Sequence, residues 1–397
     1  MWCFLAPLHF FILKPFDKLS RRLPVSLQRF NYIIQSHYVR YYGLPMEKAF
    51  VPKTDKNIIF LPHMRWNNMK QRPHHLARAF SNAGWTVFYL THDIDDNVKG
   101  IKEINERLFL CSRVRLLKEI KNPWIYMSYT VNMYYLNFFK EYSLIYDYFD
   151  KLEVNIFFTK KMVHEHQKAL KTAKIVLASS CSLREEIANV RSDTILIPNA
   201  VFPEDFMINS DVPVPADMLK ILEQGKPIFG YYGIFSRWKI DYGLIRFIAW
   251  ELPDFNFVMI GPGDIYDESL NEYEWDHFPN IYFLGMKKYN ELPYYAVHFN
   301  VALLPLMVNE ITNAISPVKL FEYLAMKLPV VSTNIVECRK YQSVLIAGGH
   351  EDFTDQLRKA ILLKNDPAWQ ALVQKELASN TWDYHCQTIL KQMTENK

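Results

Sequence analysis

The chain has few cysteines for its 397 residues, and they follow no pattern typical of a metal site or a disulfide framework. There are five of them, widely spaced, and none belongs to a Cys-x-x-Cys pair. An odd number of scattered cysteines disfavours both a structural zinc site and a disulfide-stabilised secreted fold. This usage fits a protein of the reducing cytosol. The five are Cys3, Cys111, Cys181, Cys338 and Cys386.

Strong net charge and nucleic-acid motifs are also lacking. The 46 basic and 42 acidic residues leave a formal net charge of +4, and the basic residues are spread along the chain. Proteins that bind nucleic acid usually concentrate basic residues on one face or in a recognisable motif. We therefore expect no nucleic-acid partner.

The signatures of several enzyme classes are missing as well. A Gly-x-Gly-x-x-Gly dinucleotide fingerprint needs glycine at its sixth position, but Tyr266 holds that position after Gly261-Pro262-Gly263. The turn at Gly230 has Tyr232 in place of the second glycine. An NAD(P)-dependent oxidoreductase is therefore disfavoured. The sequence has no Gly-x-Ser-x-Gly element, the motif that would indicate a serine hydrolase.

Two groups of histidines lack the spacing of a metal site. His164-Glu165-His166 does not have the His-Glu-x-x-His spacing of a zinc helix, and it is predicted to be an exposed helix face. His74 and His75 follow a proline at a predicted helix start. We interpret them as a solvated first turn.

The N-terminus has only a short apolar segment. Residues 2–13 are nearly all apolar, which is too short for a helix to cross a bilayer, and basic residues follow this run instead of preceding it. We predict that residues 1–52 form an extension ahead of the first domain. The extension could make peripheral contact with the inner face of the cell membrane, or pack on the protein's own surface. The sequence does not separate these alternatives.

Length and composition are sufficient for two domains, since half of the residues are hydrophobic. Short apolar runs alternate with helical patterns in two series, which predicts an α/β protein with two parallel sheets covered by helices. A proline-containing segment between the series suits a linker. The predicted units are residues 53–202, linker 203–226, residues 227–380 and a terminal helix at 381–397.

The strands of the first domain are predicted at Asn57–Leu61, Thr86–Leu90, Arg107–Cys111, Trp124–Met127, Leu144–Tyr146, Lys174–Ala178 and Thr194–Ile197. Those of the second are predicted at Pro227–Tyr231, Phe255–Ile260, Asn280–Phe283, Phe299–Leu303, Pro329–Ser332 and Val344–Ile346.

The most informative stretch runs from Thr312 to Ser332 and predicts a loop, a helix, a turn and a buried strand. Ser316 can cap the helix, and Pro317 suits its first turn. Lys319 and Glu322 then share one helix face, near free backbone N–H groups that attract a diphosphate. One turn deeper, a carboxylate could accept hydrogen bonds from a ribose diol. A capped helix with an ordinary surface Lys–Glu pair is the alternative.

This stretch resembles the donor-nucleotide motif of retaining glycosyltransferases of the GT-B fold, especially family 4. The resemblance implies two Rossmann-like domains facing across a cleft, with the C-terminal helix crossing back to the first domain. The family usually has a second acidic residue eight positions before the glutamate, where this chain has Ala314. Glu310 or the adjacent Asn313 could replace its contacts to the donor sugar.

Two glycine-containing turns of the second domain are similar to turns of the same family. The turn Gly230–Lys239 contains Gly233, Arg237 and Lys239, and its two bases could stabilise charge on a diphosphate. The family spaces these bases by about five residues, so the spacing of two favours Arg237 over Lys239. Gly261 and Gly263 follow the next strand, and glycines at such turns allow close approach of a ligand.

Acceptor binding is predicted for the first domain, because loops at the carboxyl ends of parallel strands form the ligand crevice. The segment containing Trp66 and Gln71-Arg72-Pro73 is similar to bacterial polysaccharide transferases, including teichuronic-acid-type enzymes. Candidate acceptor-side residues are His63, Arg65, Trp66, Arg72 and Asp150, of which Arg72, near a predicted helix start, could hold a phosphate. The turn Pro198-Asn199-Ala200-Val201 resembles a Pro-Asn-Gly-Val turn of the family, which makes Asn199 a donor-side candidate.

The resemblance implies a hexosyltransferase that uses a nucleoside diphosphate sugar, acts on a glycan or lipid-linked acceptor and requires no cofactor. Arg237, Lys319 and Glu322 are its implied catalytic group, with donor contacts from Gly230, Gly233, Lys239, Gly261, Gly263, Asn199, Asn313, Ser316 and Pro317. A metal role for Asp93 and Asp95 is disfavoured, because short acidic motifs occur often by chance. A silent nucleotide-binding module and a nucleotide-sugar epimerase remain alternatives.

Overall fold

The computed structural model describes residues 54–67, 69–91, 96–154, 158–208, 213–263, 273 and 275–395. The predicted extension of residues 1–52 lies outside the described residues, and so do Asp93 and Asp95. Among the described residues, every helix is too short or too polar to cross a membrane.

The first domain is built on an eight-stranded sheet. Buried apolar residues fill its central strands on both faces, as a parallel sheet covered by helices requires. The strands are β1 (Asn57–Phe60), β2 (Thr86–Leu90), β3 (Ile101–Asn105), β4 (Leu108–Cys111), β5 (Trp124–Met127), β6 (Ser143–Tyr148), β7 (Ile175–Ala178) and β8 (Ile195–Leu196). Their order is β3-β4-β2-β1-β5-β6-β7-β8, and all pairs are parallel except β3 with β4.

Among the residues that the structure describes, the helices on this sheet include α1 (Arg72–Asn82), α2 (Lys160–Thr172) and α3 (Cys181–Ile187). Pro73 stands in the first turn of α1, where a missing N–H costs nothing. Thr159 and Ser180 cap α2 and α3 by accepting hydrogen bonds from backbone N–H groups three residues on.

The second domain has a six-stranded sheet in which every pair is parallel, in the order β11-β10-β9-β12-β13-β14. Its strands are β9 (Ile228–Tyr232), β10 (Asn256–Ile260), β11 (Ile281–Phe283), β12 (Val301–Leu304), β13 (Val330–Thr333) and β14 (Val344–Ala347). Its helices are α4 (Leu219–Leu222), α5 (Tyr242–Glu251), α6 (Leu292–Ala296), α7 (Glu310–Asn313), α8 (Val318–Ala325), α9 (His350–Leu363) and α10 (Pro367–Ala378).

The C-terminal helix α11 (Trp382–Glu395) crosses back and packs on α1 of the first domain. Trp382 is fully buried in the core of the first domain, and its ring stacks on His75 at a centroid distance of 5.2 Å. A short bridge between Val201 and Thr381 fixes the point of crossing. The predicted fold class, including this crossing helix, is confirmed.

Two predictions about the first domain are wrong, and one strand was missed. His74 and His75 are buried, because α11 and the loop before α1 cover the first turn that we expected to be solvated. His166 is buried as well, and its Nδ1 lies 2.7 Å from the Tyr146 hydroxyl. The edge strand β3 was not predicted, since its mostly exposed residues lack the apolar pattern of a buried strand.

Candidate functional site

A cleft of about 600 Å³ lies between the two domains. Its walls come from loops that follow β1, β6, β9, β10 and β12, so both sheets direct their carboxyl ends toward it. From the predicted site, the lining includes Trp66, Arg72, Asp150, Asn199, Gly233, Lys239, Gly261, Ser316, Pro317, Lys319 and Glu322. It does not include His63, Arg65, Gly230, Arg237, Gly263 or Asn313.

The N-terminus of α8 opens into this cleft. The predicted cap is wrong: Pro317 holds the cap position and supplies no side-chain hydrogen bond. The Ser316 hydroxyl instead accepts from the Asn199 backbone N–H at 3.0 Å, and the Asn199 amide donates to the Ser316 carbonyl at 2.6 Å. The N–H groups of the first helical turn thus keep the partial positive charge of a helix N-terminus at the cleft wall.

Lys319 and Glu322 both line the cleft from the first turns of α8. Glu322 is only 4% exposed, and burial raises the pKa of its carboxyl. Burial and the neighbouring Lys239 ammonium lower the pKa of Lys319, while Glu322 opposes that shift. The Lys239 and Lys319 ammonium groups repel each other, and an anion bound between them would offset that repulsion.

Two tyrosines beside Glu322 were missed by the sequence analysis. Both Tyr232 and Tyr289 line the cleft, and burial followed by the Glu322 charge raises the pKa of each phenol. Both phenols lie within hydrogen-bonding reach of the Glu322 carboxylate. Tyr232 belongs to the turn that begins at Gly230, but its approach to Glu322 and to Tyr289 is set only by the fold, where β9 and the turn before α6 come together.

Lys239, and not Arg237, reaches the cleft. Arg237 is exposed and does not line the cleft, whereas Lys239 and Asp150 both line it. Burial lowers the pKa of Lys239, and the Asp150 carboxylate opposes that change. The preference for Arg237 came from family spacing, and the turn geometry favours Lys239.

The glycines of the two turns serve backbone packing. A Cβ at Gly261 would lie 1.8 Å from the Gly233 carbonyl oxygen, and one at Gly233 would lie 2.9 Å from Lys319 Nζ. These glycines therefore let two turns and the Lys319 ammonium come together. Gly230 lies inside β9 against the Phe299 ring, and Gly263 packs on the Phe235 carbonyl, so both stand away from the cleft lining.

Arg72 lines the cleft, but its guanidinium already has partners. It forms a two-pronged ion pair with Asp147 at 2.6 and 3.0 Å and donates to the Pro198 carbonyl at 3.0 Å. Its side chain is 2% exposed. This geometry therefore does not support the predicted contact of Arg72 with a phosphate. Arg72 holds the Pro198–Asn199 turn, which in turn contacts Ser316 of the second domain.

Two other acceptor-side candidates, His63 and Arg65, do not line the cleft. His63 Nδ1 is 3.1 Å from the Ser128 hydroxyl, and burial lowers the pKa of its ring to about 4. The Arg65 carbonyl lies 3.1 Å from His74 Nε2, which ties this loop to α1. Of His63, Arg65 and Trp66, which belong to the same loop, Trp66 is the one that lines the cleft.

Asp150 is open to the cleft, where desolvation raises the pKa of its carboxyl and Lys239 opposes the shift.

Ala314 does not face the donor side of the cleft. It is 1% exposed and packs in a hydrophobic cluster of the first domain. Its neighbour Asn313 accepts hydrogen bonds from the Ser182 hydroxyl and the Val336 N–H, and Glu310 is exposed away from the cleft lining. The structure therefore places neither proposed substitute for the missing acidic residue in the cleft.

The burial of Ala314 predicts that Ala314→Glu destabilises the protein instead of restoring an acidic pair. An unpaired carboxylate buried in this cluster should lower the free energy of unfolding by about 3 kcal/mol. Thermal denaturation should show a lower Tm, while Ala371→Glu at an exposed site of α10 should not. An unchanged Tm together with a gain in donor turnover would contradict this placement.

Comparison with known proteins identifies the second domain. Residues 228–362, which contain α8 and both glycine turns, match the family model described as "Glycosyl transferases group 1". The chain carries a glycosyltransferase group 1 domain.

No group of three or more potential metal ligands is present among the residues that the structure describes.

A curated relative of this chain comes from Bacillus subtilis (strain 168), where it is provisionally named as teichuronic acid biosynthesis glycosyltransferase TuaH. The two chains are 25% identical over 246 residues, which is 59% of this chain and 60% of the relative. The chain therefore matches less than two thirds of that relative's length.

Solved structures share the two-domain arrangement. Sucrose-phosphate synthase from Thermosynechococcus elongatus is 16% identical, with a TM-score of 0.64 over 86% of this chain and 98% of its own. Anabaena Alr3699/HepE in complex with UDP and glucose is 13% identical, with a TM-score of 0.61 over 86% and 100%. The chain thus has the GT-B fold.

Proposed function

We propose that the protein transfers a hexosyl group from a nucleoside diphosphate sugar to a hydroxyl of a cell-surface glycan precursor, with retention of anomeric configuration. One observation carries the proposal. Lys319, Glu322 and the N-terminus of α8 meet Lys239 in an interdomain cleft formed in part by the group 1 domain.

The second-domain wall suits a nucleoside diphosphate. Lys319, Lys239 and the helix N-terminus supply positive charge for two phosphates. The Glu322 carboxylate, next to Tyr232 and Tyr289, can accept hydrogen bonds from the ribose diol. Charge on the diphosphate grows as the sugar leaves, so these fixed groups stabilise the transition state more than the bound substrate.

The first-domain wall suits the acceptor. Asp150 and Lys239 both line the cleft, and the Asp150 carboxylate can accept a hydrogen bond from a hydroxyl of the acceptor next to the attacking hydroxyl. The leaving diphosphate takes the proton from that hydroxyl, as the family resemblance implies. In this transfer the sugar moves from the diphosphate to the acceptor oxygen, and the proton of the acceptor hydroxyl moves to the diphosphate.

The relatives suggest where to begin. HepE binds UDP and glucose according to its structure, which supports a UDP-sugar as the first donor to examine. The name of TuaH supports an acceptor from cell-envelope polysaccharide synthesis. A lipid-linked acceptor would be within reach if residues 1–52 contact the membrane, and liposome co-sedimentation with and without these residues measures that contact.

The decisive experiment incubates the purified protein with a panel of nucleoside diphosphate sugars, with and without acceptor glycosides. We expect release of nucleoside diphosphate and an acceptor-dependent product, whose anomeric configuration NMR spectroscopy compares with that of the donor. Binding without turnover would favour the silent module. Conversion of one nucleotide sugar into another without acceptor would favour the epimerase, and an inverted product would overturn retention.

Activity should not depend on a divalent metal ion. Lys319, Lys239 and the α8 N-terminus already supply positive charge where the diphosphate would lie, so a metal is not needed to neutralise it. Initial rates in excess EDTA should therefore remain within about twofold of those in buffer, a negligible change in transition-state free energy. Complete loss of activity, restored by magnesium or manganese, would contradict this assignment and direct attention to Asp93 and Asp95.

A further inference from the structure

The loop that carries Trp66 is held rigidly by the first domain. The Tyr89 hydroxyl donates to the Met64 carbonyl at 3.0 Å. The Trp66 and Asn67 N–H groups donate to the two oxygens of Asp96 at 2.7 and 2.8 Å. Asp96 is itself buried. A loop whose backbone groups are tied in this way presents its side chains in a fixed arrangement.

Trp66 is fixed in orientation but keeps a surface toward the cleft. Its ring lies edge-on to Tyr89 at a centroid distance of 5.1 Å and to His74 at 5.3 Å. The residue is half-buried and lines the cleft. An indole that lines the cleft can pack against an apolar face of a sugar ring with the surface that its neighbours leave uncovered, as aromatic residues do in ligand pockets.

Lys70 places a positive charge over one face of this indole. Its ammonium donates to the Trp66 carbonyl at 2.9 Å and lies 4.2 Å from the centroid of the Trp66 ring. An ammonium has three donors, so this carbonyl leaves two for a ligand. Lys70 lines the cleft from the first domain, while the bases assigned to the diphosphate belong to the second. Its charge is therefore not needed by the proposed donor.

Electrostatics at Lys70 also favour an anion. Burial lowers the pKa of this ammonium, and the Asp96 charge only partly opposes the shift. The two Asp96 oxygens are already occupied by the loop N–H groups and the Thr91 hydroxyl. An anionic ligand at Lys70 would supply the stabilisation that burial removes.

We infer that the first-domain wall is a subsite for an anionic sugar, in which Trp66 packs on the sugar ring and Lys70 binds a phosphate or carboxylate attached to it. This inference rests on the proposed function, since it names the class of acceptor. A phosphate and a uronate carboxylate share the chemistry that Lys70 recognises, and the experiment separates them.

The test measures binding to the full-length protein saturated with UDP, so that the donor site is occupied. The probes are methyl glucoside, glucose 1-phosphate and glucuronic acid, compared by NMR titration. We expect at least one anionic probe to bind about 10-fold more tightly than the neutral one, the effect of one charge-assisted hydrogen bond. The stronger anion identifies phosphate or carboxylate as the preferred group.

Lys70→Met should remove that preference and leave UDP affinity unchanged, while Lys70→Arg should retain most of it. Lys102→Met, at an exposed lysine of β3, is the matched control and should behave as the wild type. Equal or absent binding of the three probes, or a preference that persists in Lys70→Met, would overturn the inference. Because this readout needs no turnover, a failure of transferase activity would be recognised separately.

Discussion

Lys319→Met should lower kcat by about 10²- to 10³-fold, with a smaller change in KM for the donor. The reason is that its ammonium faces the position where negative charge grows on the leaving diphosphate, and loss of one such preorganised group has this size of effect. Gly233 allows the ammonium to lie against the turn after β9, so its position is fixed before substrate arrives. Steady-state kinetics with saturating acceptor measures the two constants.

The controls for this prediction come from the turn after α8 and the turn after β9. Lys327→Met removes an exposed lysine just beyond the C-terminal end of α8 and should leave both constants unchanged. Lys239→Met should lower kcat more than Arg237→Met, because Lys239 lines the cleft and Arg237 does not. A change confined to KM in Lys319→Met would mean that Lys319 binds substrate and transition state equally, and its catalytic role would be wrong.

The same lysine predicts how donor capture depends on pH. Burial and Lys239 lower the pKa of Lys319 in the empty cleft, so its charge is complete below that lowered pKa and is lost as the pH rises through it. The profile of kcat/KM for the donor should therefore fall at a pH below the 10.4 or so of an ordinary lysine. Lys319→Met should abolish this alkaline decline.

Glu322→Gln should weaken nucleoside diphosphate binding by about 10- to 100-fold. The substitution keeps the size of the side chain but removes the charge that strengthens hydrogen bonds from the ribose hydroxyls, and bonds to charged groups contribute about 1.5–3 kcal/mol. Isothermal titration calorimetry with UDP measures the change. An unchanged affinity would remove Glu322 from the nucleotide site.

The stability of the same variant gives an independent check. Burial raises the pKa of Glu322 above its value in the unfolded chain, so the ionised form opposes folding once the pH exceeds that unfolded value. Glutamine has no such charge, and Glu322→Gln should be at least as stable as the wild type at pH 8. Lower affinity with equal or higher Tm is the combination expected of a binding residue. A lower Tm would instead indicate a structural role.

The interdomain contacts around Asn199 show where the sequence was insufficient. Ser316 precedes a helix and has the chemistry of a cap, so local rules assigned its hydroxyl to α8. In the fold, Asn199 lies beside it and takes the hydroxyl as an acceptor. Arg72 was expected to bind phosphate for a similar reason, but Asp147 from β6 occupies its guanidinium. These partners are 117 and 75 residues away in the chain.

The glutamate and the lysine of α8 illustrate the opposite case. Their spacing along one helix, with a buried strand after it, is a local property, and it predicted that both share a helix face. Both line the cleft as that pattern indicated. The pattern could not reveal Tyr232 and Tyr289, because these residues approach Glu322 from another strand and another turn.

The sequence by itself determined the two alternating series of strands and helices, because the periodicity of apolar residues depends only on neighbours along the chain. It also determined the position of the group 1 motif on α8. Only the tertiary structure decided that Lys239 and not Arg237 enters the cleft, that Ala314 is buried in the other domain, and that Trp66 stands beside Lys70. The partner of a polar side chain is set by which distant groups the fold brings within about 3 Å, and no local pattern encodes that distance.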